Sequence, residues 1–411
     1  MTRVGQWHTN GILRKNIDRN AKYIWFHAAS LGEFEQGRPM IETLRKRHPA
    51  YKILLTFFSP SGYEVRKNYV GADVICYLPF DTLYKVRKFI NLANPSIAVF
   101  IKYEFWLNYL TELKKRNIKI YLISAVFRPG QLFFKWYGKW YRSALRCYAY
   151  IFVQDEASKK LLAAYGIKNV EVCGDTRLDR VLEIRQRARL LPEVEIFAKG
   201  EQKILVVGSS WPEDEEIIIP YFNSHPEIKM IIAPHEISRG HLLYIQSLLC
   251  RPSVRLSEAT QETLQTNDCL IIDSVGLLSS IYRYSDVAYI GGGFGKGIHN
   301  TLEAAVYGIP VIFGPKYQKF KEAEGFISCG GGFSVDNPAS FCNCINNLIS
   351  NTELLHKTGA AAGDFIHRKA GATEKILMFW DKNNVLNSWQ GDSCRRQNLQ
   401  NPDDYRNDGM K

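Results

Sequence analysis

What the sequence lacks narrows the field first. Its nine cysteines include no C-x-x-C pair, so no zinc ribbon or dithiol redox site is encoded. Cys76, Cys173 and Cys269 sit in apolar runs, as buried thiols do in a reducing cytoplasm. Cys342 and Cys344 form a lone C-x-C without nearby partners, which is weak as a metal signal. No H-E-x-x-H and no D-x-D occurs. The commonest metal patterns of proteases and sugar-nucleotide enzymes are therefore missing, and a metal-independent reaction without a cofactor is expected. The chain has no G-x-x-x-x-G-K-[ST], and no G-x-G-x-x-G aligns in its glycine-rich stretch, which removes the P-loop and the dinucleotide fingerprint. No run of about 18 apolar residues exists, so no bilayer-spanning helix is expected. The polar, basic start does not resemble a secretory leader.

What is present is a 411-residue chain, 46% hydrophobic and 13% aromatic, enough for two or three globular cores. A formal net charge of +12 points to an acidic partner: nucleic acid, anionic lipid or a phosphorylated substrate. Apolar strand-like runs alternate with helix-like ones, first from Tyr23 to Cys173 and again from Lys203 to Phe313. This period predicts α/β architecture with parallel sheets covered by helices, in two Rossmann-like domains facing a cleft. The expected division is a basic N-terminal segment (1–22), a first domain (23–178), a charged linker (179–202), a second domain (203–380) and a disordered polar tail (381–411).

The most telling stretch is Gly291-Gly292-Gly293-Phe294-Gly295-Lys296-Gly297-Ile298-His299-Asn300-Thr301-Leu302-Glu303. An apolar strand enters it and a helix, Leu302 to Tyr307, is expected to leave it. Glycines let backbone N–H groups approach an anion, and a helix start adds free donors. Asn300 and Glu303, three apart, share one side of the first turn, where an amide and a carboxylate suit sugar hydroxyls. A nucleotide-sugar site follows; a ligand-free glycine turn is the alternative.

Other strand ends carry candidate chemistry. In His27-Ala28-Ala29-Ser30-Leu31-Gly32-Glu33, Glu33 reads either as a general base or as the acidic member of a capping box with Ser30. Glu104, in Lys102-Tyr103-Glu104-Phe105-Trp106, is a second carboxylate at a strand end, suited to stabilising a cationic transition state or simply solvated. Arg177 follows a strand end and could neutralise a phosphate, or be an ordinary surface arginine. Small residues in Gly208-Ser209-Ser210-Trp211 permit close approach of a ligand, and His235 in Ala233-Pro234-His235-Glu236 could face a base or phosphate. Between Phe127 and Arg142, Arg128, Lys135, Lys139 and Arg142 interleave with Trp136 and Trp140 at helical spacing. That pattern fits an anionic lipid surface; single-stranded nucleic acid and a plain core helix are its rivals.

Taken in order, the motifs HAASLGE, SPSG, KYEFW, GDTRLD, GSSWPEDEE, APHE, DSVG, GGGFGKGIHNTLEA and GIPVIFGP resemble one family, the 3-deoxy-D-manno-octulosonic acid (Kdo) transferases of lipid A biosynthesis. The resemblance runs from about Tyr23 to about Leu377. It implies a glycosyltransferase B fold and inverting transfer of Kdo from CMP-Kdo to a lipid A precursor (lipid IV-A). By motif match Glu33 takes the place of the catalytic base, and Glu104 and Arg177 those of transition-state stabilisers, the family commonly having lysine at the latter. Pro234, His235, Val275, Gly276, Leu277, Asn300, Thr301, Leu302 and Glu303 fall on the CMP-binding segments, although members often carry an acidic residue where Leu277 stands. The resemblance also implies a peripheral protein on the cytoplasmic face of the bacterial inner membrane; many members carry an N-terminal anchor, and either the chain starts after one or the basic aromatic patch supplies the attachment. No nucleic-acid partner is expected. The rival readings are another two-domain sugar-nucleotide enzyme, such as a UDP-sugar transferase or epimerase, and a non-catalytic basic-aromatic binder of anionic lipid or single-stranded nucleic acid.

Overall fold

The computed structural model describes residues 2–386, with side chains from His8 onward. The chain forms two compact units, one running to Gly174 and resuming at Gly371, the other spanning Asp175–Ala370.

In the first unit seven strands form one sheet: β1 (Lys22–Ala28), β2 (Tyr51–Phe57), β3 (Val74–Tyr77), β4 (Pro95–Ile101), β5 (Lys119–Ala125), β6 (Tyr150–Val153) and β7 (Val170–Val172). Their order is β3-β2-β1-β4-β5-β6-β7, and every pairing is parallel. β1 is buried at every position after Lys22, as a strand covered on both faces must be. Trp25 packs one face against Phe89, Phe100 and Tyr109, while Phe26 joins Phe34, Ile53 and Phe57 on the other.

The second unit repeats the plan with β8 (Lys203–Ser210), β9 (Ile228–Pro234), β10 (Ser253–Arg255), β11 (Cys269–Ile271), β12 (Val287–Ile290), β13 (Val311–Phe313) and β14 (Gly332–Ser334). The order is β10-β11-β9-β8-β12-β13-β14, again all parallel. Strand order reverses between β1 and β4 in one sheet and between β8 and β12 in the other. Open parallel sheets bind ligands outside the carboxyl ends of strands at such points.

The structure corrects four boundaries. The segment 1–22 is mostly helix, Thr2–Asn16, docked by buried Leu13 and by Thr9 Oγ1 donating to Tyr77 O at 2.9 Å. The expected linker 179–202 is built into the second unit as helices Thr176–Gln186 and Pro192–Phe197, because Leu178, Val181, Val194 and Phe197 enter its core. The end of the expected second domain, helix Ala372–Lys382, belongs to the first unit, where Ile376, Leu377 and Trp380 bury against its sheet. The expected tail begins too early: 381–386 are ordered, with Val385 and Leu386 buried, and 387–411 lie outside the described residues. Among the described residues no helix is long and apolar enough to cross a membrane.

Candidate active site

In the first unit the chain leaves β1 at Ala28, and Ser30 opens the helix Leu31–Arg47. Glu33, in its first turn, accepts the Ser30 N–H through Oε2 at 3.1 Å, so the capping contact exists. Its carboxyl is raised above the usual glutamate range, chiefly by burial and next by the negative charge of Glu104, against backbone N–H bonds and His27 that pull it down. A carboxylate with raised proton affinity is a better base than an exposed one.

Glu104 follows β4, which ends at Ile101, so the expected strand to Glu104 is three residues too long. Lys102 turns the chain with φ 69°, an uncommon conformation for a residue with a side chain. Buried Glu104 accepts the Trp106 indole N–H on Oε2, and His27 Nε2 lies 3.1 Å from the same oxygen. The Tyr148 hydroxyl donates to its backbone carbonyl. His27 is fully buried, and its Nδ1 lies 2.9 Å from Thr56 Oγ1, which also receives the Trp25 indole N–H at 2.8 Å. Glu33 and Glu104 thus share one electrostatic site at the β1/β4 switch point. His27, Thr56 and Trp106 were given no role from sequence; their signal was two polar residues, His27 and Thr56, at fully apolar-flanked positions of parallel strands.

At the β8/β12 switch point, Trp211 and His299 form a platform. Trp211 Nε1 donates to His299 Nε2 at 3.0 Å, and their rings are 9° from coplanar. The exposed His235 ring stacks on both, 4.6 Å from Trp211 and 4.5 Å from His299. Buried Asp214 ties the two loops together. It accepts from Trp211 N (3.0 Å), Gly292 N (2.8 Å) and the Tyr289 hydroxyl (2.8 Å). Ser209 takes φ 54° there.

The glycine loop differs from expectation. The N–H groups of Gly291, Gly292, Gly295 and Gly297 bond to Gly208 O, Asp214 and Gly292 O, within the protein. The glycines serve close packing: a Cβ on Gly291 would meet Ser209 O at 2.3 Å, and Gly292 holds φ 90°. The helix beyond is only Leu302–Ala305, since Val306 and Tyr307 turn toward Gly308. Asn300 Nδ2 does donate to Glu303 Oε1 at 2.9 Å, so these two share a side as expected. Thr301 and Leu302 are fully buried, and Thr301 Oγ1 has no hydrogen-bond partner among the described residues. Pro234 ends β9; Val275 is exposed, Gly276 takes φ 87°, and Leu277 precedes the helix Leu278–Ile281.

Arg177 is no loose surface arginine. It bonds Asp175 Oδ2 through Nε and Nη2 (2.9 and 2.6 Å) and Glu322 through Nη1 and Nη2 (2.9 and 3.1 Å). The two carboxylates outweigh burial and raise its pKa further. The basic aromatic stretch is not one helix: it is a loop with a 3-10 turn, Leu132–Phe134, followed by helix Lys139–Leu145. Phe133 and Phe134 are buried, whereas Trp136 and Trp140 are 92% and 62% exposed. Arg128, Lys135 and Lys139 are exposed too, but Arg142 donates to Phe133 O at 2.7 Å and is tied to the loop.

Two Rossmann-type units in one chain, each with polar and aromatic groups at its switch point, make up the architecture called the glycosyltransferase B fold. Solved structures agree on the fold: UDP-GlcNAc 2-epimerase of Neisseria meningitidis, bound to UDP-GlcNAc, superposes with TM-score 0.62 at 15% identity, covering 88% of this chain and all of that one. MurG of Acinetobacter baumannii gives 0.57 at 10% identity, covering 88% and 99%. Residues 3–180 match the family model described as 3-deoxy-D-manno-octulosonic-acid transferase (kdotransferase). Relatives of that name are 28% identical in Aquifex aeolicus, covering 80% of this chain and 86% of the relative, and 26% identical in Haemophilus influenzae, covering 86% and 85%. Over most of its length the chain is similar to this family of glycosyltransferases.

Proposed function

We propose that the protein transfers Kdo from CMP-Kdo to a lipid A precursor with inversion at the anomeric carbon. Glu33 accepts the proton of an acceptor hydroxyl. The freed oxygen forms a bond to the anomeric carbon, the bond to the CMP phosphate breaks, and its electron pair leaves with CMP. Glu104, oriented by His27 and Trp106, stabilises the cationic sugar. The turn at Pro234 and His235, the segment Val275 to Leu277 and the side chains of Asn300 and Glu303 hold CMP, with buried Thr301 and Leu302 beneath them and the exposed face of His235 available to a planar base. Arg177 serves the departing phosphate by exchanging one of its carboxylate partners for it. The observation that carries this reading is the partly buried Glu33 carboxylate with a raised pKa beside Glu104.

Attachment to the cytoplasmic face of the inner membrane is peripheral in this reading. Trp136 and Trp140 insert at the interface, and Arg128, Lys135 and Lys139 meet anionic headgroups. Incubation with CMP-Kdo and a tetraacylated lipid IV-A, followed by mass spectrometry, tests the activity. An acceptor mass increased by one or more Kdo residues is expected. An unchanged acceptor, with UDP bound more tightly than CMP, would favour a UDP-sugar enzyme instead.

A further inference from the structure

A buried carboxylate not used above organises the Pro234–Ser238 turn. Glu215 is fully buried in the first turn of the helix Pro212–Ser224. Its Oε1 accepts from Ser210 Oγ at 2.8 Å, and its Oε2 lies 2.9 Å from His241 Nε2. The other ring nitrogen, His241 Nδ1, lies 2.8 Å from the carbonyl oxygen of Glu236. A carbonyl only accepts, so Nδ1 carries a hydrogen. Nε2 and Oε2 then share one further proton, as imidazolium and carboxylate or as a neutral pair.

Both sides of the turn are fastened to this pair. The His235 N–H donates to the backbone oxygen of Ser210, at 2.9 Å, and Ser210 Oγ is itself bound to Glu215. On the far side, Glu236 O is held by His241, from the first turn of helix Arg239–Leu248. The ring between these anchors, His235, is the one stacked on Trp211 and His299. We infer that Glu215 and His241 are positioning residues that fix the His235 turn for the nucleotide of the donor. The inference rests on the reading of this turn as part of the nucleotide site. Neither residue meets the reacting atoms, so the pair acts on binding rather than on the chemical step.

Glutamine at position 215 separates positioning from charge. Its oxygen accepts from Ser210 Oγ, and its amide donates to Nε2 of a neutral histidine that still carries hydrogen on Nδ1, so every contact survives. CMP titration by calorimetry and steady-state transfer are measured for wild type, His241→Ala and Glu215→Gln. CMP affinity in His241→Ala is expected to fall roughly tenfold or more, with donor KM rising in step. Its kcat stays within about twofold. Glu215→Gln is expected to stay within about threefold of wild type in both. Equal CMP affinity in wild type and folded His241→Ala overturns the inference, as does a loss confined to kcat. Should His241→Ala fail to fold, His241→Asn carries the same test. A wild type that does not bind CMP overturns instead the nucleotide-site reading beneath it.

Discussion

The indole of Trp211 donates to His299 Nε2, and a histidine can accept there only while that nitrogen is unprotonated. Burial first, then the neighbouring His235, lowers the His299 pKa to about 4. The folded state therefore binds fewer protons than the unfolded one between about pH 4 and the ordinary histidine value of 6.5. Stability supported by the neutral ring is complete above 6.5 and lost as pH falls toward 4. Histidine ring resonances followed by NMR should show His299 still neutral at pH 5, and His299→Gln should flatten the fall of stability across that window.

The raised pKa of Glu33 predicts the acid limb of the rate profile. A base works only when deprotonated, so kcat/KM should fall as pH drops through a value above 4.5, the ordinary glutamate value. Glu33→Gln should lower transfer by about 10²-fold or more. Glutamine keeps the capping contact with Ser30, so the melting temperature should hold, and CMP binding should be unchanged. Near wild-type transfer in this variant would remove the base role.

Asp214 should matter to stability as much as to binding. Asp214→Ala leaves Trp211 N, Gly292 N and the Tyr289 hydroxyl without their acceptor in a buried site. The expected loss is about 3 kcal/mol, read as a lower urea midpoint.

Removing Arg177 uncovers two carboxylates. Arg177→Ala should destabilise the protein by about 1–3 kcal/mol, the upper range for buried pairs being discounted because the guanidinium is partly exposed. Arg177→Lys should recover much of this loss. Equal melting temperatures for wild type and Arg177→Ala would show the ion pairs to be inert.

The exposed tryptophans give a prediction independent of catalysis. Trp136→Ser with Trp140→Ser should reduce sedimentation with vesicles containing anionic phospholipid severalfold while leaving the melting temperature unchanged, because neither side chain is in the core. Raising salt should weaken binding of the wild type further.

Much of this architecture was legible from residues alone. The alternating apolar runs gave two parallel sheets, because strands covered on both faces must be continuously apolar. The placement of Glu33, Glu104 and His235 just beyond strand ends was legible for the same topological reason. The glycine loop was read through its backbone donors, but several of those donors are consumed by Asp214 and the loop itself, a pairing between distant segments that periodicity does not encode. His27 escaped notice because its partners, Thr56 and Glu104, lie 29 and 77 residues away. The helices at 176–197 were hidden by charge, although Leu178 and Val181, and likewise Val194 and Phe197, keep an i, i+3 spacing.

The last described helix has a consequence for synthesis. Trp380 packs 4.9 Å from Tyr121, and Phe379 lies against Tyr150 and Phe152. On the ribosome those tyrosines and phenylalanine emerge about 230–260 residues before their cover, a delay of roughly 10–50 s at ordinary elongation rates. For that interval the N-terminal half carries a greasy strip that only the far end of the polypeptide can seal. A nascent chain stalled before Gly371 is therefore a natural client for a holding chaperone.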